Sequence, residues 1–480
     1  MRGCCLAKSI SALITVAALF LLPLSFLPTA SQALPNNLKA AIDYAKAHHP
    51  TILDAKYDLE KIDYDLQVEA ERFYPKLFWY SEWFYEKENT LHSHYCYDRQ
   101  GVALGPLMHW HWATGTQITG KVGVDITQDL QEVSRLNFSI KQPLLKNRSR
   151  KINENSKIQA KIQQDILRVN YEKALEDLIL QVSSSYFDYA QAVLTDNIRQ
   201  NGLEQAKKYL YQVNQLIETG RLAKNEAEQP ALYVETQESQ KEESKQRRAY
   251  SYLLLMRSMG VIDQGILDEP STEVLEKKIT NEIEKLLLNY MQKYSQEIKR
   301  KEISYDKDEK LFDYQFKLLD QNKALAKNEN KWNMNIEGRA FIREKERQYG
   351  VNISLDFPVN DKLKRYQSLY HLEIEQQKIK SHQQLHRYYY PEEIAFKQQD
   401  IQSKERQLKL ACKRKEWAQK SVETAELKWR VGRITLFELI QLSAQLQQSE
   451  LDALNHKINL LNTGFDYFKS LGILTQFWTN

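Results

Sequence analysis

The chain carries one punctuated plan twice, and this repeat limits its possible folds more than any other feature. In the first copy, Gln215-Leu216-Ile217-Glu218-Thr219-Gly220-Arg221-Leu222 precedes a helical run ending in Arg257-Ser258-Met259-Gly260. In the second, Lys428-Trp429-Arg430-Val431-Gly432-Arg433-Ile434-Thr435 precedes a run ending in Phe468-Lys469-Ser470-Leu471-Gly472. The glycines of each pair stand 40 residues apart, and the copies are offset by 212. Upstream, residues 136–144 and 351–359 both alternate apolar with polar and both reach a proline, Pro143 and Pro358, offset by 215. Each reads as a strand of period two, ended by proline and followed by a long helix.

Those helices are unusually long. Residues 148–219 contain no proline and residues 362–431 contain only Pro391. At 1.5 Å per residue, about 70 residues make a rod of about 100 Å. Leu203, Ala206, Leu210, Val213 and Ile217 step as a heptad, as do Tyr171, Leu175, Leu178 and Val182, and in the second copy Ala418, Val422, Ala425 and Trp429. Gly220 and Gly432 let the chain reverse at low steric cost, and Leu439, Leu442, Leu446, Ala453 and Leu460 carry the returning helix. Pro230 lies in the first returning helix, where a kink is expected. Composition agrees with long helices: 480 residues hold only 15 Gly and 11 Pro.

A mean hydropathy of −0.61 excludes a polytopic helical membrane protein but not a β-barrel, whose strands vanish into the average. Lys+Arg 67 against Asp+Glu 63 gives +4, no excess for nucleic acid. The basic run Lys293, Lys299, Arg300 and Lys301 is interleaved with Glu297 and Glu302, as on a solvated helix face. At the N-terminus, Arg2 and Lys8 flank an apolar run from Ile10 to Leu27, with small residues Ser31 and Ala33 beyond it. Residues 1–33 read as a secretory signal peptide, with an uncleaved anchor as the alternative. Cys4 and Cys5 precede the apolar run, so no lipid anchor is indicated. The remainder divides into structural repeats at 34–260 and 261–480, holding only Cys96 and Cys412, too few for a disulfide scaffold.

Strands are expected at about 76–87, 135–142, 332–343 and 350–357, paired as two hairpins. The first hairpin carries an insertion over about 88–134, in which Gly123 to Thr127 offers one further candidate strand. Aromatic crowding in 73–85 suits a bilayer-interface girdle. Four strands cannot close a barrel, and open edges cannot sit in lipid. Membrane strands here would therefore require several subunits to share one barrel, as a symmetric oligomer. The alternative is a soluble β-hairpin domain on coiled-coil stalks.

With these pieces in place the chain resembles the outer membrane efflux protein family, the TolC-like exit ducts of Gram-negative bacteria. The resemblance covers about residues 38–473. It is carried by the Gly432 turn with Thr435, Glu438 and Leu439 behind it, by Tyr467-Phe468-Lys469-Ser470-Leu471-Gly472, by Gln142-Pro143-Leu144-Leu145, and by the opening from Ala41-Ile42 to His49-Pro50. It implies a mainly α fold with a membrane β-barrel part. Three subunits would share a twelve-stranded barrel, four strands each, above a long periplasmic α-barrel. The implied partners are two further copies, a periplasmic adaptor, an inner-membrane transporter and outer-membrane lipid. The implied activity is passive export of drugs, metals or secreted proteins, with no cofactor.

The resemblance places Gly220, Arg221, Gly432 and Arg433 at the periplasmic tips where the adaptor docks. Glu226, Glu438 and Gln441 fall at the aperture constriction, and Pro143 and Pro358 at strand-to-helix junctions. The chain departs from the family in two places. Ile217 and Trp429 stand where a tyrosine often precedes the tip glycine, and Gln441 replaces the second acidic residue of the returning helix.

His92, His94 and Cys96, with His109 and His111, cluster in the insertion at alternate spacings. Such residues suit zinc, but nothing frames them as a structural site, and they are read as no metal centre. No nucleophile elbow, phosphate loop, zincin helix, dinucleotide fingerprint or paired catalytic carboxylates are present. An enzyme is thus the weakest reading. The rival to a duct is a non-conducting coiled-coil structural or adhesive protein of the cell surface.

Overall fold

The computed structural model describes residues 37–89, 96–127, 132–261, 272–300, 306–343, 346–356 and 362–475. In chain order these form α1 (Leu38–His48), α2 (Pro50–Glu71), β1 (Lys76–Asn89), β2 (Cys96–His111), β3 (Gln117–Thr127) and β4 (Glu132–Pro143). Then come α3 (Arg150–Asn153), α4 (Asn155–Glu218), a 3-10 turn at Lys224–Ala227, α5 (Glu228–Met259), α6 (Thr272–Arg300) and α7 (Lys307–Glu329). The chain continues with β5 (Asn333–Arg343), β6 (Glu346–Asp356), α8 (Lys362–Arg430) and α9 (Leu436–Ser470). The N-terminal residues 1–33 and Pro358 lie outside the described residues, as do His92 and His94.

Both long rods are present. α4 has 64 residues and α8 has 69, about 95–105 Å each. The assignment of α8 runs unbroken through Pro391. The heptad positions face inward: Leu203, Ala206 and Val213 are buried on α4, and Ala418, Val422 and Ala425 on α8. Pro230 is the third residue of α5, in the first turn where its missing N–H breaks no helical bond, so the expected kink does not arise there. The main core gathers α1, α4, α5, α6, α8 and α9 around Phe187, Phe465 and Phe468. Phe187 stacks on Phe465 at 5.5 Å, and Tyr290 meets Phe468 at 5.4 Å. Gly464 allows this approach, because a Cβ there would lie 2.2 Å from the Tyr290 ring.

Among the described residues, the buried charged side chains Asp196, Glu176 and Lys307 each form an ion pair. Asp196 on α4 is 2% exposed. Its carboxylate accepts from Lys241 Nζ at 2.7 Å, Ser244 Oγ at 2.7 Å and Arg248 at 3.1 Å, all on α5. Burial opposes ionisation of Asp196, but these bonds and the Lys241 and Arg248 charges outweigh it and hold the carboxyl below its ordinary value. Glu176 pairs with Lys307 at 2.8 Å. There burial prevails and raises the carboxyl.

The sheet corrects the expected strand count. Among the described residues it has six strands, ordered β1-β2-β3-β4-β5-β6, with every neighbouring pair antiparallel. The sequence reading paired 76–87 directly with 135–142. Instead the insertion supplies a complete hairpin, β2–β3, that separates β1 from β4. The candidate strand at Gly123–Thr127 is the end of the longer β3. β2 is hidden in the sequence because Gly101, Gly105 and Pro106 are poor strand formers. β5 and β6 form the second hairpin as expected, over Asn333–Arg343 and Glu346–Asp356.

The turn between β2 and β3 is fixed to the point where the sheet meets the helices. Trp112 N donates to Thr116 O at 2.8 Å, and Gly115 takes φ +83°. Asn153 Nδ2 donates to Ala113 O in this turn and to Asn147 O and Ser149 O in the loop after β4. Asn328, at the end of α7, exchanges two bonds with Asn147. Trp110 Nε1 donates to Phe73 O, just before β1. Pro143 ends β4 beside Gly115, and Leu144 N donates to Met334 O of β5 at 2.7 Å.

Candidate conduit surface and hairpin tips

The strand pairings sort the sheet residues into two faces, because side chains alternate along each strand. One face is apolar. β1 gives it Leu77, Trp79 and Trp83, and their register partners on β2 include Met108 and Val102. It continues through Val122 and Val124 on β3, then Leu136, Phe138 and Ile140 on β4. Ile336 and Ile342 on β5 and Tyr349, Val351, Ile353 and Leu355 on β6 complete it. Most of these side chains are exposed, Leu77 to 76%, Trp79 to 75% and Val351 to 75%, while Val102, Met108 and Ile342 are half-buried. A continuous exposed apolar face this large marks contact with a membrane or with another protein.

The opposite face is mainly polar. It bears Glu82, Thr119, Lys121, Arg135, Asn137 and Ser139, then Glu337, Arg339, Asn352 and Ser354 on the second hairpin. Three of its residues stitch β1 to β3 across β2. Lys121 Nζ pairs with Glu82 and lies 4.1 Å from the Tyr80 ring centre. Directly opposite Glu82 and Tyr80, β2 offers Ala103 and Gly105, both buried. A Cβ on Gly123 would sit 2.1 Å from the Tyr80 hydroxyl, so the absent side chain makes room for the tyrosine.

At the far end of the rods, the tip glycines adopt one motif in both copies. Gly220 has φ +73° and Gly432 φ +71°. Gly220 N donates to Ile217 O and Arg221 N to Leu216 O, while Gly432 N donates to Trp429 O and Arg433 N to Lys428 O. This is the left-handed helix cap, which satisfies the last carbonyls. A Cβ on either glycine would meet nothing within 4 Å, so backbone conformation alone requires glycine there. Arg221 and Arg433 are exposed. The two tips are tied together by Tyr209, whose Oη bonds Ser443 at 3.1 Å and Glu426 at 3.3 Å. Burial pushes the Tyr209 hydroxyl up to about 12.

Five of the residues singled out by sequence are divided between two grooves. Arg221, Glu226 and Gly432 share one groove of about 790 Å³, together with Trp429. Glu438 and Gln441 line a second groove of about 970 Å³ between α8 and α9. Glu438 also has a local role, signalled by its Thr-x-x-Glu spacing from Thr435. Its carboxylate accepts from Thr435 N at 3.1 Å while Thr435 Oγ1 accepts from Glu438 N, a reciprocal cap on α9.

His109 and His111 lie two apart on β2, with His109 Nδ1 3.4 Å from Thr119 Oγ1. Among the described residues a different trio is drawn together, Asp306, Asp308 and His386. Each already has a partner. Asp306 caps α7 through Oδ1 and meets His386 Nε2 at 2.7 Å through Oδ2, while Asp308 bonds Lys173 at 2.6 Å. The trio fastens α7 to α8 and α4.

This fold of long helical hairpins carrying an open antiparallel sheet is similar to that of several solved outer-membrane channels. The Campylobacter jejuni CmeC outer membrane channel is similar over 94% of this chain and 91% of its own, with TM-score 0.64 and 13% identity. The outer membrane protein VceC of Vibrio cholerae is similar over 91% of this chain and 96% of its own, at TM-score 0.64 and 11% identity. The open state of the Neisseria gonorrhoeae MtrE outer membrane channel follows over 91% and 89%, at TM-score 0.62 and 12% identity. No family model matches the sequence, and no curated protein matches it. Among the described residues no helix is long and apolar enough to cross a membrane, which says nothing against the sheet.

Proposed function

We propose that this chain is a passive exit duct of the outer membrane, a homotrimer whose sheets share one barrel and whose helices extend through the periplasm. The observation that carries this reading is the two-faced open sheet. Its apolar face suits lipid, its polar face suits a wet lumen, and its two edges lack neighbours among the described residues. The likeness to solved outer-membrane channels supports it. Residues 1–33 act as the export signal.

In this reading the tips at Gly220, Arg221, Gly432 and Arg433 receive a periplasmic adaptor, which couples the duct to an inner-membrane transporter. The exposed arginines offer charge to a partner, and the twin left-handed caps present it in matching geometry. Glu226, Glu438 and Gln441 line the entrance, and the transporter supplies both energy and choice of cargo. Membrane fractionation, sizing of the detergent-solubilised particle and conductance in a planar bilayer test the reading together. Outer-membrane trimers with discrete conductance are expected. A soluble monomer without a pore would overturn it in favour of a non-conducting cell-surface protein.

A further inference from the structure

We propose that three copies close an 18-stranded barrel in which β1 of each copy pairs with β6 of the next, and that the β2–β3 hairpin is part of its wall. The proposal rests on the duct reading and goes beyond it by fixing what the wall is made of. Two other dispositions of the hairpin are conceivable, folded into the lumen or standing clear of the sheet. The structure favours the wall on three independent grounds.

The hairpin first shares the two-faced pattern of its neighbours. Val102 and Met108 of β2 and Val122 and Val124 of β3 continue the apolar face, while Thr119 and Lys121 continue the polar one. A plug inside a wet lumen would not carry a lipid-matched face in register with the wall.

The polar face is also stitched through the hairpin. Tyr80 and Glu82 of β1 reach over Ala103 and Gly105 to Lys121 and Gly123 of β3. Direct pairing of β1 with β4 would abolish these contacts.

Finally, the turn at residues 112–116 is held by Asn153, at the level where β4 gives way to helix. β2 and β3 thus run the full height of the sheet.

Closure follows from the edges. Among the described residues β1 and β6 end the sheet, and exposed edges are untenable in lipid. β1 leaves the helical side of the sheet and β6 returns to it, so copies rotated about a common axis bring these strands together antiparallel. The interface is head-to-tail, the type that closes rings. Matching apolar faces requires odd-numbered β1 residues, such as Ser81, to stand opposite odd-numbered β6 residues, such as Val351. Barrel diameter grows about linearly with strand number, so this barrel would be about 1.5 times as wide as a twelve-stranded one.

The test counts strands and copies in the full-length protein reconstituted in lipid nanodiscs, by single-particle imaging with mass measurement. Three copies and 18 strands are expected. A trimer with twelve strands and β1 against β4, or a dimer closed by two six-stranded sheets, would overturn the proposal while leaving a duct. A monomer without a pore would overturn the duct reading itself. A second measurement is independent of imaging. In a Cys96→Ser, Cys412→Ser background, Ser81→Cys is combined in turn with Tyr349→Cys, Val351→Cys and Ile353→Cys. Oxidation is expected to give a ladder ending at three chains for at least one pair. Ser81→Cys with Leu104→Cys, neighbours in register, should close within one chain. If that control closes and none of the three pairs yields a ladder, the proposal fails.

Discussion

Asp196 shows how single residues hold a rod of this length together. One buried carboxylate on α4 engages Lys241, Ser244 and Arg248 on the returning helix. Removing its charge takes this carboxylate away from both Lys241 and Arg248, and Asp196→Asn should cost about 3–5 kcal/mol in thermal unfolding. The sign of the pH dependence follows from its depressed carboxyl. The ionised group stabilises the fold above the ordinary carboxylate range, and that contribution is lost as pH falls through the lowered value. The acid limb of the stability curve should therefore flatten in Asp196→Asn relative to the parent.

Glu438 separates two roles by chemistry. Glu438→Gln keeps an acceptor for the cap on α9 but removes the charge, whereas Glu438→Ala removes both. If the carboxylate acts at the entrance, both variants should change cation block in bilayer recordings. Only Glu438→Ala should also lose about 0.5–1.5 kcal/mol of stability. Unaltered block in Glu438→Gln would leave the residue a helix cap alone.

Among the elements, helix spacing is set by missing side chains. Gly464 lets α9 approach Tyr290 of α6. Gly464→Ala should destabilise by about 1–3 kcal/mol through overpacking, and pairing it with Tyr290→Leu should restore part of the loss in melting experiments. The helices were legible in the sequence because their apolar period persists over many turns and glycines mark where each stops. Leu203, Ala206 and Val213 were read as inward-facing and are buried. β2 was not legible. Its central Gly-Val-Ala-Leu-Gly-Pro stretch has one β-branched residue, Val102, and no aromatic, and its small Ala103 and Gly105 stand opposite Glu82 and Tyr80. The tip glycines were found from their spacing, and the Thr-x-x-Glu spacing of Thr435 and Glu438 is the sequence signal that could have shown the cap on α9.

At the scale of the molecule, the tips test function apart from assembly. A Cβ at Gly432 meets no neighbour, so Gly432→Val strains only a left-handed backbone, by about 1–2 kcal/mol. The variant should still sediment as a trimer yet lose export in a cell-based efflux assay. Normal export would remove this turn from the docking surface.

The inserted hairpin has one more effect on the assembled particle. Each chain ends below in two nearly equivalent turns, at Gly220 and Gly432, but contributes above a lopsided sheet, four strands from the first repeat and two from the second. A trimer would thus present quasi-sixfold symmetry to whatever docks at the tips and strict threefold symmetry at the opposite end. In such a trimer the duplication's pseudo-symmetry would survive at the proposed docking tips and be broken in the sheet.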